Sequence, residues 1–154
     1  MTGVRVAFVD VYVFRKASEG LEVLVLRRAA GGRCAGAWET VHGRIEPGEN
    51  PVQAARRELL EETGFTPPKL YNVSRVESFY LHRTDEVALI PVFAALASTA
   101  MVTLSDEHDA FEWLSIDAVA RRLVWPRERR AVRDLEVLLG QGDAGVLEDV
   151  LRVD

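Results

Sequence analysis

The segment Gly43 to Phe65, GRIEPGENPVQAARRELLEETGF, constrains this chain more than any other stretch, because it specifies a loop, a helix and a second loop in one run. Asn50 is a good N-cap, Gln53 three residues on completes a capping box, and Pro51 suits the first helical position. Val52, Ala55 and Leu59 make an apolar stripe that can dock on a core, and Ala54 and Leu60 add strong helix formers. Gly64 then stops the helix as a left-handed C′ residue. Upstream, Gly43 and Gly48 bracket a tight loop whose Pro47–Gly48 pair reads as a turn.

That helix carries an expensive arrangement. Glu58, Glu61 and Glu62 stand at i, i+3 and i+4, so they project from one side, beside Arg57 and within reach of the loop residue Glu49. Like charges at this spacing weaken a helix, and a divalent cation is the simplest compensation. Hard oxygen ligands in this number suit Mg²⁺, with Mn²⁺ as the alternative, and such ions serve chemistry on phosphates. The whole pattern has a known counterpart. Gly43, Glu49, Arg57, Glu58, Leu59, Glu61, Glu62, Gly64 and Phe65 fall where the Nudix box requires G, five residues, E, seven residues, R-E, an apolar residue, any residue, E-E, any residue, G and an apolar residue. No position departs, and the chain resembles a Nudix (MutT-type) hydrolase. The resemblance implies an α/β fold, the Nudix α/β/α sandwich with a mixed β-sheet between helices. It implies that Glu58, Glu61 and Glu62 hold metal together with a backbone carbonyl near His42 and Gly43. Arg57 would orient a glutamate, Glu49 would steady the loop, and Glu58 or a carboxylate outside the box would be the general base.

Composition fits a modest enzyme. A chain of 154 residues is expected to form one domain, 1–154, with a real core. Net charge is −5, so no broad basic field exists to track a nucleic acid polymer. Cys34 is the single cysteine and has no internal disulfide partner. No apolar run reaches spanning length and the N-terminus lacks a signal-peptide pattern, so a cytoplasmic protein without a membrane partner is expected. A homodimer is common in the family, although no surface stripe demands one.

Alternation and β-rich composition predict strands over Val4–Phe14, Glu22–Arg28, Trp38–Val41, Leu70–Leu81, Val87–Leu96 and Ala110–Leu114. A polar turn at Arg83–Asp85 makes an antiparallel pair of the fourth and fifth. After the box helix, Ile116–Leu123 and Pro126–Leu139 read as helices, with Asp117 and Pro126 at early helical positions. Strands interleaved with a few helices suggest a layered α/β or α+β domain.

Outside the box, Ser105–Leu114, SDEHDAFEWL, resembles the region that supplies a further glutamate in several Nudix enzymes, and Glu107 is the matching position, as ligand or base. His108 is expected to cap or pack, and Trp113 to join the core. Arg27 and Arg28 end a strand before the Gly-rich loop and are candidates for substrate phosphates. Alternation puts them on opposite faces, so one of them reaches the cleft. Tyr12, Trp38, Phe79 and Tyr80 are candidates for stacking on a base, with core packing the competing role; Trp38 and Tyr80 are carried forward. For the substrate, the stretch AFEWLSIDAVARRLVWPRERRAV resembles nucleoside triphosphate pyrophosphohydrolases of the dATP and dihydroneopterin triphosphate type, which release pyrophosphate and a monophosphate. LSDEHDAFEWL and the position of Tyr80 are similar instead to asymmetric diadenosine tetraphosphate hydrolases. Val41-His42, where those often have Pro-Lys, counts against that reading. Phe79-Tyr80-Leu81 disfavours ADP-ribose. An isopentenyl diphosphate isomerase would need a cysteine and histidine site for which Cys34 has no matching motif. A non-catalytic nucleotide-binding module usually loses box carboxylates that are all present here.

Overall fold

A computed structural model describes residues 1–153. Its elements run β1 (Gly3–Val6), β2 (Phe8–Ala17), β3 (Gly20–Arg28), β4 (Trp38–Glu39), β5 (Val41–Arg44), α1 (Pro51–Thr63), β6 (Lys69–Leu81), β7 (Glu86–Leu96), β8 (His108–Ser115), α2 (Ile116–Arg122), α3 (Pro126–Leu139) and, after a 3₁₀ turn at Gly145–Leu147, α4 (Glu148–Leu151). All eight strands form one mixed sheet. Strands β1 and β2 run parallel to β7, and the remaining pairs, β2–β3, β2–β5, β3–β4, β3–β8 and β6–β7, are antiparallel.

Alternation along β2 explains the layers. Val9, Val11 and Val13 face one core with Leu24, Leu26, Phe93 and the α1 residues Ala54, Ala55 and Leu59. Tyr12 and Phe14 face the other, with Val23, Val25, Tyr71, the α2 residue Val119, Leu123 just beyond that helix and the α3 residues Val132 and Leu135. The sheet therefore lies between α1 on one face and α2–α3 on the other, as the fold expectation had it.

Two expected strands are each divided. The stretch Val4–Phe14 breaks at Ala7: Val6 is opposite Leu89 and Asp10 opposite Val92, so this side uses four steps against three on β7. Ala7 absorbs the extra residue as a bulge does, its N–H donating to Leu89 and its carbonyl accepting from Ile45. The stretch Trp38–Val41 divides at Thr40 because the chain changes partner there. Glu39 is opposite Leu26 on β3, whereas Val41 is opposite Val11 on β2. Thr40 is held through the crossing by its hydroxyl, which donates to the Val11 carbonyl at 2.6 Å, and by its N–H, which donates to Glu128 at 2.9 Å.

Candidate functional site

Helix α1 starts and stops on the residues that its sequence specifies. The Asn50 side chain accepts from the Gln53 N–H and the Gln53 side chain accepts from the Asn50 N–H, each at 2.9 Å. Gly64, at φ 79°, donates its N–H to the Leu60 carbonyl. With both ends fixed and Leu59 buried, the glutamates are locked in azimuth. Glu58 and Glu62 turn toward the sheet and are buried, whereas Glu61 is exposed.

Arg57 binds the loop to the helix. Its Nε and Nη2 donate to the two oxygens of Glu49 at 2.6 and 3.0 Å, its Nη1 donates to Glu58 at 2.8 Å and Glu61 at 3.3 Å, and Nη2 also reaches the Arg44 carbonyl at 2.8 Å. Hydrogen bonding to Glu49 pushes the guanidinium further up its already high range. The Glu49 carboxyl is held below the usual range by the same bond, assisted by the Glu46 N–H at 3.0 Å. A planar fork with several donors can make all these contacts at once.

Gly43 lies on β5 directly against Glu58. A Cβ at this position would sit 2.0 Å from the Glu58 carboxyl carbon and 2.2 and 2.4 Å from its oxygens, so only glycine lets the carboxylate reach the strand. On the preceding residue, the His42 N–H donates to Glu62 Oε2 at 3.2 Å. Burial raises the Glu58 carboxyl above its ordinary value, with Arg57 opposing and Glu61 and Glu107 adding to the rise. Glu62 is 2% exposed and is pushed up to about 10, mainly by burial and then by Glu58, Glu107 and Glu39. Its Oε1 has no hydrogen-bond partner among the described residues.

A cleft of ≈400 Å³ opens over these groups, lined by Glu61, Glu62, Ser105, Asp106 and Glu107. Ligand atoms of Glu62, Glu107 and His108 lie within 4.8 Å of one another, a group able to hold a cation. A buried carboxylate oxygen with no partner, surrounded by further acids, is what an oxygen-ligated divalent ion would complete. Glu107 thus sits with the box carboxylates although 45 residues separate it from Glu62.

The remaining candidates are placed differently from one another. Arg28 turns toward the acidic side, its Nη1 donating to Glu39 at 3.3 Å and its Nε to the Arg33 carbonyl at 2.9 Å. Arg27 points to the other face, donates to Asp109 at 2.7 Å and stands 5.8 Å from the Trp38 ring. Trp38 packs at the edge of the α2–α3 core, with Arg122 4.8 Å from its ring. Tyr80 is on the β6–β7 hairpin and donates its hydroxyl to Asp85 at 2.8 Å. Tyr12 is fully buried, Phe79 is exposed near Phe8, and Trp113 packs against Phe65 while its indole N–H donates to Ala100 at 3.2 Å. His108 is buried.

Several residues here carried no weight in the sequence. Glu39 bridges Arg28 and His108, and on the opposite face Asp10 is fully buried between His42 Nδ1 at 2.7 Å and Arg127 at 3.0 Å. Glu128 is fully buried beside them. The available signal was an acid inside an apolar strand, in FVDVYVF and in WETV, which marks a buried partner.

The Nudix domain, as a family, matches this chain over residues 4–135. The chain belongs to the Nudix family. Among its relatives, an octanoyltransferase from Myxococcus xanthus is 38% identical over 118 residues, 75% of this chain and 32% of that protein. An oxidized purine nucleoside triphosphate hydrolase from Danio rerio is 33% identical over 91 residues, 59% of this chain and 57% of that one. The chain thus spans about a third of the first relative and somewhat over half of the second. A solved Nudix protein from Listeria monocytogenes superposes with a TM-score of 0.76 at 26% identity, covering 88% of this chain and 95% of that one. The sandwich of this chain is therefore the Nudix fold.

Proposed function

We propose that this Nudix protein is a Mg²⁺-dependent pyrophosphohydrolase that cleaves a nucleoside triphosphate to a monophosphate and pyrophosphate, or a related nucleoside diphosphate derivative to a nucleoside monophosphate and the phosphate ester of its other half. The observation that carries the proposal is the buried Glu62 carboxylate, whose Oε1 has no hydrogen-bond partner among the described residues, facing a cleft walled by Glu61 and Glu107, with Glu58 held over Gly43 beside it. The naming of the Danio rerio relative as a nucleoside triphosphate hydrolase supports the substrate class. Residues 1–154 would act as one domain, since both cores share β2, β3, β6 and β7.

Glu58, Glu61 and Glu62, with the Gly43 carbonyl, would hold the ion, and Mn²⁺ would substitute. A divalent cation supplies neutralisation of phosphate oxygens and a more acidic water. This chain's own residues supply the rest. Arg57 fixes the Glu58 carboxylate and ties it to the loop through Glu49. Glu58 or Glu107 takes the proton from the attacking water, and both face the same acidic space. Hydrolysis of a phosphoric anhydride depends on such positioning and charge neutralisation. Arg28, already turned to this side, would meet phosphate oxygens in exchange for part of its contact with Glu39. Arg27, Trp38 and Tyr80 would act only where substrate extends beyond the cleft.

The test is product analysis with Mg²⁺ across dATP and the other nucleoside triphosphates, diadenosine tetraphosphate, ADP-ribose and dihydroneopterin triphosphate. Monophosphate plus pyrophosphate from a triphosphate is the expected result. ATP plus AMP from diadenosine tetraphosphate, with triphosphates untouched, would replace this reading with the asymmetric dinucleoside polyphosphate class and give Tyr80 a role. No turnover on any of them would leave either a diphosphate substrate outside this panel or a nucleotide-binding module.

A further inference from the structure

We infer that His108 is a nitrogen ligand of the bound cation, together with Glu62 and Glu107, so that this site prefers transition-metal ions over Mg²⁺ more strongly than an all-oxygen set would; the inference rests on the metal-dependent reading above. His108 is 3% exposed, at the start of β8. Its Nε2 is 3.0 Å from Glu39 Oε1, and Glu39 is in turn gripped by Arg28 at 3.3 Å. An ionised carboxylate only accepts, so the ring proton belongs on Nε2 and the Nδ1 lone pair is free to bind. Nδ1 has no hydrogen-bond partner among the described residues, and it lies 3.9 Å from Glu62 Oε1, which has none either.

Two buried polar atoms, each without a partner, therefore face each other across the gap that Glu107 completes. Leaving both atoms unsatisfied in the interior is costly, and a direct bond between them is too long at this distance. Adjacent ligands of a first-row ion bound at roughly 2.0–2.2 Å lie about 2.8–3.6 Å apart, so the 3.9 Å gap closes by a few tenths of an ångström or more when an ion enters it. A metal-bound histidine almost always donates its second ring N–H to a carboxylate that fixes tautomer and orientation. Glu39 occupies that place, with Arg28 behind it. The topology explains how they meet. Strands β4 and β8 both pair with β3, so Glu39, opposite Leu26, and His108, opposite Arg28, converge from the two sides of one strand. Imidazole nitrogen favours later first-row ions, whereas carboxylate and carbonyl oxygens suit Mg²⁺. Adding one nitrogen to an oxygen set shifts preference in that direction.

Pulsed EPR of the Mn²⁺-loaded protein tests this directly. The expected result is a directly bonded ¹⁴N coupling that changes to the ¹⁵N pattern when histidine alone is labelled. It should vanish in His108→Ala and persist in His82→Asn. Calorimetric titrations with Mn²⁺, Co²⁺ and Mg²⁺ should show the Mn²⁺-to-Mg²⁺ affinity ratio falling by about tenfold in His108→Ala, the scale of losses seen around metal-bound histidines. Wild-type protein that binds Mn²⁺ without nitrogen coupling overturns the inference and leaves the metal-dependent hydrolase standing, and this outcome needs no variant to fold. Coupling that survives in His108→Ala overturns it too. Failure of the wild-type protein to bind Mn²⁺ at all overturns both readings.

Discussion

At the scale of single residues, the site concentrates two opposite demands on its carboxylates. Among the described residues, Glu62 is buried without the cationic partner that a buried acid normally has, and its one hydrogen bond is from the His42 N–H. Glu62→Gln keeps the volume and removes the ionisable oxygen. Turnover at saturating Mg²⁺ should fall on the order of a hundredfold or more. Thermal stability without metal at pH 8 should hold or rise, because the variant no longer resists losing a proton. Steady-state kinetics beside a melting curve in chelator checks both halves, and wild-type turnover would remove Glu62 from the metal site. Gly43→Ala makes a different demand. The new methyl meets the Glu58 carboxyl carbon at 2.0 Å, and the carboxylate is the part able to move. The expected result is a stability loss of about 1–3 kcal/mol with turnover reduced far more than such a loss explains. A variant of normal activity would show that Glu58 does not work from above Gly43.

At the scale of elements, Arg57 is the joint between loop and helix. Its fork reaches Glu49, Glu58, Glu61 and the Arg44 carbonyl together, which a single ammonium cannot do. Arg57→Lys should lower kcat by roughly 10–100-fold while circular dichroism shows unchanged helix, since the Asn50 cap and the Gly64 terminator remain. Equal loss of helix and activity would make Arg57 a folding residue instead. The caps, the apolar stripe of α1 and the β6–β7 hairpin were legible in the sequence because each depends on neighbours within a few positions. The bulge at Ala7 and the crossing at Thr40 were not. Both depend on register against strands far along the chain, and alternation reads straight through them. The same limit applies to the site. Spacing on one helix assembles Glu58, Glu61 and Glu62, but Glu39 and His108 are 69 residues apart and meet only because each pairs with β3.

At the scale of the whole molecule, the sheet separates two buried acidic centres, and both bias stability in the same direction. Glu62 on the α1 face is raised to about 10, and Glu128 on the α3 face is raised well above its ordinary value by burial and by Asp10. Unfolded, both would titrate in the ordinary glutamate range, near 4.3. Above that, the folded state retains protons that the unfolded state has released, so stability is fully present below the unfolded value and declines as pH rises toward the folded one. Glu49, Glu86 and Asp117 are lowered by their arginine partners and contribute in the opposite sense, their share being lost as pH falls into the acid range. Without metal, stability should therefore peak near pH 5 and fall continuously toward pH 9. A divalent cation binds the ionised Glu62 and stabilises in proportion to its occupancy, so saturating metal should flatten much of the alkaline decline and release a proton on binding near pH 7. It should not remove the part that belongs to Glu128, which lies across the sheet against Thr40 and Asp10. Glu128→Gln should remove that residual slope while leaving the metal-dependent part in place. Denaturant titrations from pH 5 to 9, with chelator and with saturating Mn²⁺, separate the two contributions. A metal-free stability that rises across this interval would mean that neither acid is held protonated, and the electrostatic account of both faces would fail together.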